Sequence, residues 1–415
     1  MLIKLYSYLF IFLALTTVGT WLSINWWAPN LTIAFIQWIV CFVLLIYPTF
    51  KYQHIKILCR YNSYKLFNIF NIYTFSLSLY AIMAYTSSLE RSDLAALLSC
   101  CLAMLSCLSI YTLSFPNWLI IACRRLYKYL PLIAIVYMPF AKPHAFGDLL
   151  GFVCMPAMLL LIFFKELPKK QKYIWFILTI LIVVSSFIDD ARSNVIKYAF
   201  CFLLGITINW DNFYRRIKHL IWFFFIMPIV LFFLGVFNIF NIFAIDTYFD
   251  SESLNEETIA DTRTLVYQEV LLSAIDNDYI VTGRGIGKGY ESLFQQRRAE
   301  GTMSVSNTTD VNASERQSEA GILNIFTWGG IIYVVIYTLF YMSVVYYGIY
   351  KSKNRFSRNA AIFLAFYYFY SWVENFQSFS IIYLSSYLFI VMSISPYFRE
   401  MNNNEVKQYI YKLLK

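Results

Sequence analysis

Long apolar runs recur along almost the whole chain, and they constrain its fold more than any other feature. A helix needs about 20 such residues to cross the hydrocarbon core of a bilayer. A transmembrane β-barrel instead alternates apolar and polar residues over short segments, whereas these runs are continuous. The pattern predicts an all-α polytopic membrane protein with about 12 transmembrane helices. The predicted spans are 6–26, 31–49, 66–87, 94–115, 127–141, 149–164, 173–188, 194–210, 220–245, 321–349, 360–378 and 380–397.

The composition supports this class of fold and excludes two others. The 415 residues are 60% hydrophobic and 14% charged, whereas a soluble domain has about 25% charged residues. The high hydrophobicity also excludes an intrinsically disordered chain. No small-residue cleavage site follows the first run cleanly, so we expect it to stay as an anchor. The spans at 127–141 and 149–164 are short and carry Pro131, Pro139 and Pro156.

Basic residues mark one side of the predicted membrane. Most of the 33 fall in every second connection and in the C-terminal tail, and the short connections between carry almost none. In the positive-inside pattern such loops stay on the cytoplasmic side. The pattern predicts an even number of spans with both termini in the cytoplasm, and it assigns the net charge of +9 to orientation instead of to nucleic acid. The charged segments are 51–65, 124–128, 165–172, 215–218, 351–358 and 399–415.

The predicted spans divide the chain into three parts. Residues 1–245 hold helices 1–9, residues 246–320 form one long outer loop, and residues 321–415 hold helices 10–12 and a cytoplasmic tail. The loop has 14 acidic and 6 basic residues, which is too polar a composition for lipid. Within the loop, 261–276 is predicted to be a helix capped by Asp261 or Thr262, and 301–314 is expected to be mobile.

Charged residues at the edge of the membrane are costly, so each is a candidate for function. The first group is Asp189-Asp190-Ala191-Arg192-Ser193, at the outer end of the seventh span. Arg192, supported by Asp190, is suited to bind a phosphate because its planar guanidinium pairs with two oxygens at once. The alternative interpretation is a polar turn whose charges neutralise one another.

The outer loop carries a second group of cations. Arg263 lies on the predicted loop helix, and alone it is equally consistent with a solvated arginine. The stretch Gly283-Arg284-Gly285-Ile286-Gly287-Lys288-Gly289 follows. Glycines such as Gly285 and Gly287 allow successive amides to turn toward one anion, and Arg284 and Lys288 add charge. A flexible turn is the alternative, and the stretch lacks the GK[ST] ending of a P-loop.

Two carboxylates complete the set of candidates. Glu319 lies where the long loop re-enters the membrane, and burial would make it a suitable general base. Its alternative role is to complement the dipole at a helix N-terminus. Glu374, near the outer end of the eleventh span, is expected to pair with an arginine or to mark the interface. No cluster of His and Cys at metal-ligand spacing occurs, so we expect no metal or other cofactor.

The order of these segments resembles the superfamily of O-antigen ligases and O-antigen (Wzy-type) polymerases. Arg192 resembles the family's Arg after a long apolar span, and Arg263 resembles the Arg that opens its loop helix. Residues 283–289 resemble the family's GxGxG stretch, and Gly330-Ile331-Ile332 resembles the Gly that follows its His-Asn motif by about eleven residues. Counting back places Glu319 and Ala320 where a ligase has His and Asn. The missing His favours a polymerase over a ligase.

The resemblance implies a fold similar to the C-type glycosyltransferases and a site at the periplasmic face of the bacterial inner membrane. The donor would be a glycan on undecaprenyl diphosphate, and the acceptor another lipid-linked repeat unit. The resemblance implies that Arg192 and Arg263, with Arg284 as a weaker third, stabilise the diphosphate leaving group without a metal. Glu319 would orient or deprotonate the acceptor hydroxyl. A polysaccharide chain-length regulator is the partner that the resemblance implies, besides the lipid bilayer.

Three other functions compete with an O-antigen polymerase. An O-antigen ligase would transfer the glycan to lipid A core, but it would carry the His. A flippase for lipid-linked oligosaccharides would more naturally have repeats and polar helices at the bilayer midplane, whereas the charges here cluster toward the outer loop. A purely structural membrane protein has no use for costly charges at the membrane edge.

Overall fold

The structure is a computed structural model that describes residues 6–8, 10–15, 52–85, 97, 100–137, 146–189, 192–207, 210–236, 262–291, 315–316, 318, 320–375 and 381–415. This part of the chain is mostly helical. Its helices are α1 (Tyr52–Cys59), α2 (Lys65–Tyr85), α3 (Ser109–Leu113), α4 (Pro116–Tyr137), α5 (Phe146–Val153), α6 (Ala157–Leu161), α7 (Lys169–Ile188), α8 (Arg192–Thr207), α9 (Asp211–Leu220), α10 (Phe223–Val236), α11 (Thr262–Asp276), α12 (Gly321–Tyr350), α13 (Arg355–Tyr370), α14 (Ile381–Ile394), α15 (Pro396–Glu400) and α16 (Asn403–Leu414).

Short elements connect these helices. Single 3-10 turns lie at Asn62–Tyr64, Ser106–Leu108 and Phe164–Glu166. In the outer loop, β1 (Tyr290–Glu291) pairs antiparallel with β2 (Glu315–Arg316), so that residue 290 lies opposite residue 316. This two-residue ladder brings the two ends of the segment 292–314 together.

Four of the described helical segments are long and apolar enough to cross a membrane: Asn62–Ala84, Lys169–Ile188, Tyr214–Leu234 and Gly321–Tyr350. They coincide with predicted spans at 66–87, 173–188, 220–245 and 321–349. Shorter apolar helices occupy Cys100–Leu113, Ser193–Thr207 and Tyr383–Ile394, and they overlap the predicted spans 94–115, 194–210 and 380–397. The predicted span 31–49 lies outside the described residues.

Several basic segments that the sequence assigned to connections or to the tail contain helices, such as α1 within 51–65 and α16 within 399–415. Arg124, Arg125 and Lys128 lie inside α4, which begins eleven residues before the predicted span. Pro116 opens this helix, at a position where proline's missing N–H costs nothing. Residues 215–218 lie in α9, whose exposed cationic face makes it an amphipathic helix next to α10.

The prolines of the fifth and sixth predicted spans act differently from one another. Pro131 lies inside α4, which continues through it. Pro156 falls between α5 and α6, and it divides the predicted span 149–164 into two short helices. Proline lacks the N–H that an uninterrupted helix needs at that point.

The core of the described bundle is built around α12, α13 and α14, which pack against one another, and α12 also packs against α2. Aromatic rings fill these contacts. Phe70 of α2 stacks on Phe340 of α12 at 4.9 Å between ring centroids, and Phe363 of α13 lies 4.2 Å from Phe389 of α14. Buried hydroxyls bond across the same interfaces, as between Thr74 and Tyr333 at 2.7 Å. Such satisfied hydroxyls are tolerated in an apolar interior.

Candidate functional site

Segments distant in sequence meet at the turn that follows α13, residues 371–374. The first turn of α12 is docked there, because the amide of Gly321 donates to the carbonyl of Glu374 at 3.1 Å and that of Ile322 donates to Ser371 at 2.9 Å. These bonds satisfy N–H groups that have no partner within their own helix. The turn therefore holds the point where the long outer loop joins α12.

The start of α8 reaches the same turn through the side chain of Glu374. The Ser193 hydroxyl donates to Oε1 of Glu374 at 3.2 Å, and the Lys197 ammonium donates to Oε2 at 3.0 Å. Ser193 and Lys197 are four residues apart, so they lie on one face of the helix. One carboxylate is thus held by two side chains of α8.

The loop helix α11 is fixed to the same turn from another side. The hydroxyl of Tyr267 donates to the Trp372 carbonyl at 2.5 Å. The Tyr267 ring also lies 5.8 Å from that of Phe232 in α10, and Phe232 lies 6.1 Å from Trp372. Position 263 is one helical turn before Tyr267. The sequence prediction of a helix at 261–276 is confirmed, and its packing brings the outer loop onto the bundle.

The glycine-rich stretch that follows α11 docks against a kink in α12. The kink occurs at Gly329 and Gly330, which leave the helical conformation. It frees the carbonyls of the preceding turn, and two of them accept from the stretch: Arg284 donates its amide to Thr327 at 2.8 Å, and Gly285 donates to Trp328 at 3.0 Å. Two of the amides predicted to face an anion are therefore engaged by α12.

Glycine is required on both sides of this contact. Gly330 has φ of +64°, and a Cβ added there would lie 2.1 Å from the Val281 carbonyl oxygen. Gly283 has φ of +70°, and its Cβ would lie 2.4 Å from the Gly329 nitrogen. Side chains are excluded by both conformation and space. The backbone of residues 281–283 packs directly against that of Gly329 and Gly330. This contact fixes the position of the glycine-rich stretch along α12.

The side chain of Arg284 is held within the loop. Its guanidinium donates to the Gly289 carbonyl at 3.2 Å and lies 3.6 Å from a carboxylate oxygen of Glu291. It also lies 5.3 Å from the centroid of the Tyr279 ring. Arg284 is 16% exposed, so it stabilises the fold of the stretch. Its predicted contact with a diphosphate remains a prediction.

Asn324 fixes the chain on the approach to α12. Its side chain accepts from the Ser318 amide at 2.8 Å and donates to the Ser318 carbonyl at 2.9 Å, while the Ser318 hydroxyl accepts from the Ala320 amide at 3.1 Å. Ser318, Ala320 and Asn324 are all buried. They flank position 319 on both sides, although Glu319 itself lies outside the described residues.

The structure places the remaining predicted residues as follows. Arg192 begins α8 and Arg263 lies in the first turn of α11, and the side chains of both lie outside the described residues, as does Asp190. Gly285 and Gly287 both have positive φ, and Lys288 is half-buried beside them. Glu374 lies at the junction of α8, α12 and α13.

Sequence reasoning missed Lys197. It lies in the predicted span 194–210, and its side chain has no exposed surface. A single lysine in an otherwise apolar run was the available signal, because a buried ammonium requires a partner. Glu374, expected to pair with an arginine or mark the interface, pairs with this lysine. No family model, curated protein or solved structure matches this chain.

Proposed function

We propose that this protein is a membrane glycosyltransferase that polymerises undecaprenyl-diphosphate-linked oligosaccharide repeat units into O-antigen polysaccharide. The reaction joins the anomeric carbon of one lipid-linked glycan to a hydroxyl of another repeat unit and releases lipid diphosphate. It takes place at the periplasmic face of the bacterial inner membrane. The observation that carries the proposal is the meeting of α8, α11 and the start of α12 at residues 371–374.

The proposal is supported by the residues that begin these segments. Arg192 opens α8 and Arg263 opens α11, so two cationic positions from remote parts of the chain belong to elements that share one contact. Glycosyl transfer from a lipid diphosphate requires positive charge where the leaving group develops its negative charge, and arginines supply it without a metal. Arg192 and Arg263 are assigned to the diphosphate, with Arg284 in a weaker role.

A carboxylate is needed on the acceptor side of the reaction. Glu319 is assigned to orient or deprotonate the acceptor hydroxyl, and the buried residues on either side of it support this role. A backbone held on both sides of a general base limits the positions the base can occupy. The polar residues of the loop are assigned to supply hydroxyl and amide groups for the sugars.

Charge removal at the two leading arginines tests the proposal. Arg192→Gln and Arg263→Gln are returned to a strain that lacks the gene, and surface polysaccharide is compared on a gel. We expect both variants to lose the polymer while an immunoblot of the membrane fraction shows normal amounts of protein. Arg284→Gln is expected to lower the polymer less, because Arg284 already pairs with Glu291.

Arg215→Gln is the matched control for these variants. Arg215 is exposed on α9 and contacts Asn212 at 2.6 Å, so the substitution removes the same charge away from the site. We expect it to leave the polymer unchanged. A normal ladder from both Arg192→Gln and Arg263→Gln would contradict the proposed function of these residues.

A further inference from the structure

Lys197 is a fully buried cation that the proposed chemistry leaves without a role. Its side chain has no exposed surface, whereas that of its partner Glu374 is 22% exposed. The ammonium also lies 5.8 Å from the centroid of the Tyr370 ring, within reach of a cation–π contact. Burying a charge is costly even when it is paired. Apolar side chains would join α8 to α13 without the desolvation cost of a buried charge.

The pair holds Glu374 in a single orientation. A carboxylate has about four acceptor positions on its two oxygens. Ser193 occupies one on Oε1 and Lys197 occupies one on Oε2. The carboxylate therefore turns its bonded sides toward α8, and its exposed part faces outward at the junction of α8, α12 and α13.

The backbone of Glu374 is fixed as well, because its carbonyl accepts from the first amide of α12. The side chain of Glu374 is thus bonded to α8, and its backbone carbonyl is bonded to α12. Position 319 lies just before α12, and position 192 begins α8. Glu374 therefore bonds both to α8, the helix that Arg192 begins, and to the first residue of α12.

We propose that Lys197 is a positioning residue: together with Ser193 it orients the Glu374 carboxylate, which is 22% exposed, so that its other acceptor positions bind a hydroxyl of the acceptor glycan. This inference rests on the proposed function. Glu374 contacts the sugar, and Lys197 acts only through Glu374. The acceptor class is a hydroxyl-rich glycan, since a paired carboxylate accepts hydrogen bonds from neutral hydroxyls and does not attract further cations.

Two variants separate orientation from simple attachment. Lys197→Met removes the ammonium, so the carboxylate is free to turn, and we expect polymer to fall on the order of a hundredfold, as for small misplacements in an active site. The double variant K197E/E374K restores an ion pair with its charges exchanged. We expect this variant to unfold near the wild-type temperature in detergent and to make no more polymer than Lys197→Met, because the carboxylate has moved to the buried side.

Ser193→Ala keeps the inference testable if the exchanged pair does not fold. It removes one of the two bonds to Glu374 and leaves every charge in place. Loss of one hydrogen bond to a charged group predicts at least about tenfold less polymer, while the ion pair between Lys197 and Glu374 still joins α8 to the turn after α13. Lys407→Met is the matched control, because Lys407 forms a 2.8 Å ion pair with Glu166 that is 41% exposed on the lysine side. It is expected to leave polymer unchanged.

All variants are expressed in a strain lacking the gene, next to the wild-type gene, and polymer is measured on one gel. Wild-type polymer from Lys197→Met, full recovery of polymer in K197E/E374K, or full polymer from Ser193→Ala would each overturn the role of Lys197. If the wild-type gene itself restores no polymer, the proposed function fails and the inference falls with it. The wild-type lane therefore distinguishes the two failures.

Discussion

Asn324 shows how single side chains define the entrance to α12. It bonds to both the amide and the carbonyl of Ser318, six residues earlier. The helix start has free N–H groups that need partners, and the incoming loop has backbone groups that would otherwise be buried without bonds. One buried amide side chain satisfies two of the loop's backbone groups. These bonds fix Ser318, the residue before position 319.

Asn324→Ala is expected to destabilise the protein and to lower its activity together. The substitution leaves the Ser318 amide and carbonyl without their partner, at a cost of about 2–4 kcal/mol in the free energy of unfolding. Chemical or thermal unfolding of the purified protein in detergent measures the first effect, and the polymer gel measures the second.

Asn277→Ala provides the comparison for Asn324→Ala. Asn277 is exposed after α11 and makes one similar bond, to the Ser273 carbonyl at 3.0 Å. We expect this variant to unfold within about 0.5 kcal/mol of wild type. Equal stability of the two variants would show that the Ser318–Asn324 bonds do not hold the loop.

The kink of α12 is the element that joins the outer loop to the bundle. A straight helix of 30 residues would be about 45 Å long and would satisfy its own carbonyls. The glycine pair breaks that pattern, and the loop takes over the exposed carbonyls of Thr327 and Trp328. The kink also frees the amides of Ile331 and Ile332. They donate to the carbonyls of Ile280 and Val281, at 2.9 and 3.5 Å.

Gly330→Ala tests this junction. The new Cβ would meet the Val281 carbonyl at 2.1 Å in a conformation that side chains avoid, and we expect a loss of about 2–4 kcal/mol in unfolding free energy. The unfolding temperature in detergent is the measurement. Ser76→Ala, at an exposed position of α2, should leave it unchanged. A wild-type unfolding temperature for Gly330→Ala would contradict the docking of the loop on the kink.

Helices were more predictable from the sequence than the contacts between them. The loop helix was expected at 261–276 and is found at Thr262–Asp276, because polar residues at its start and its apolar spacing are local signals. The pairing of Lys197 with Glu374 joins residues 177 apart in the chain. A single sequence carries no local signal for such a contact between spans.

The contacts of the glycine-rich stretch were not predictable from its local sequence either. Its glycines indicated a turn, and Gly283, Gly285 and Gly287 all have positive φ. The use of its amides depends on a kink more than 40 residues later, at Gly329 and Gly330. Local spacing suggested an anion as the partner, whereas two amides bond to carbonyls of α12.

On the scale of the whole molecule, the basic segments and the segments of the candidate site form two separate sets of contacts. The basic segments meet one another: Tyr350 bonds to the Lys218 carbonyl at 2.9 Å, Arg399 bonds to that of Lys351 at 3.2 Å, and Lys407 pairs with Glu166. The loop helix and the starts of α8 and α12 meet at residues 371–374 instead. Cationic segments therefore gather at the opposite ends of α12 and α13 from the candidate site.

This separation agrees with the proposed function. In that proposal the basic segments face the anionic lipid surface on the cytoplasmic side, and the lipid-linked glycans would reach the protein from the opposite side.

The most direct test is a gel of surface lipopolysaccharide from a strain that lacks the gene. We expect loss of the ladder, with core that carries a single repeat unit, and recovery of the ladder when the gene is returned. Bare core with long glycan on the lipid carrier would mean a ligase. Bare core with repeat units on the inner leaflet would mean a flippase, and an unchanged ladder would contradict any required part in O-antigen assembly.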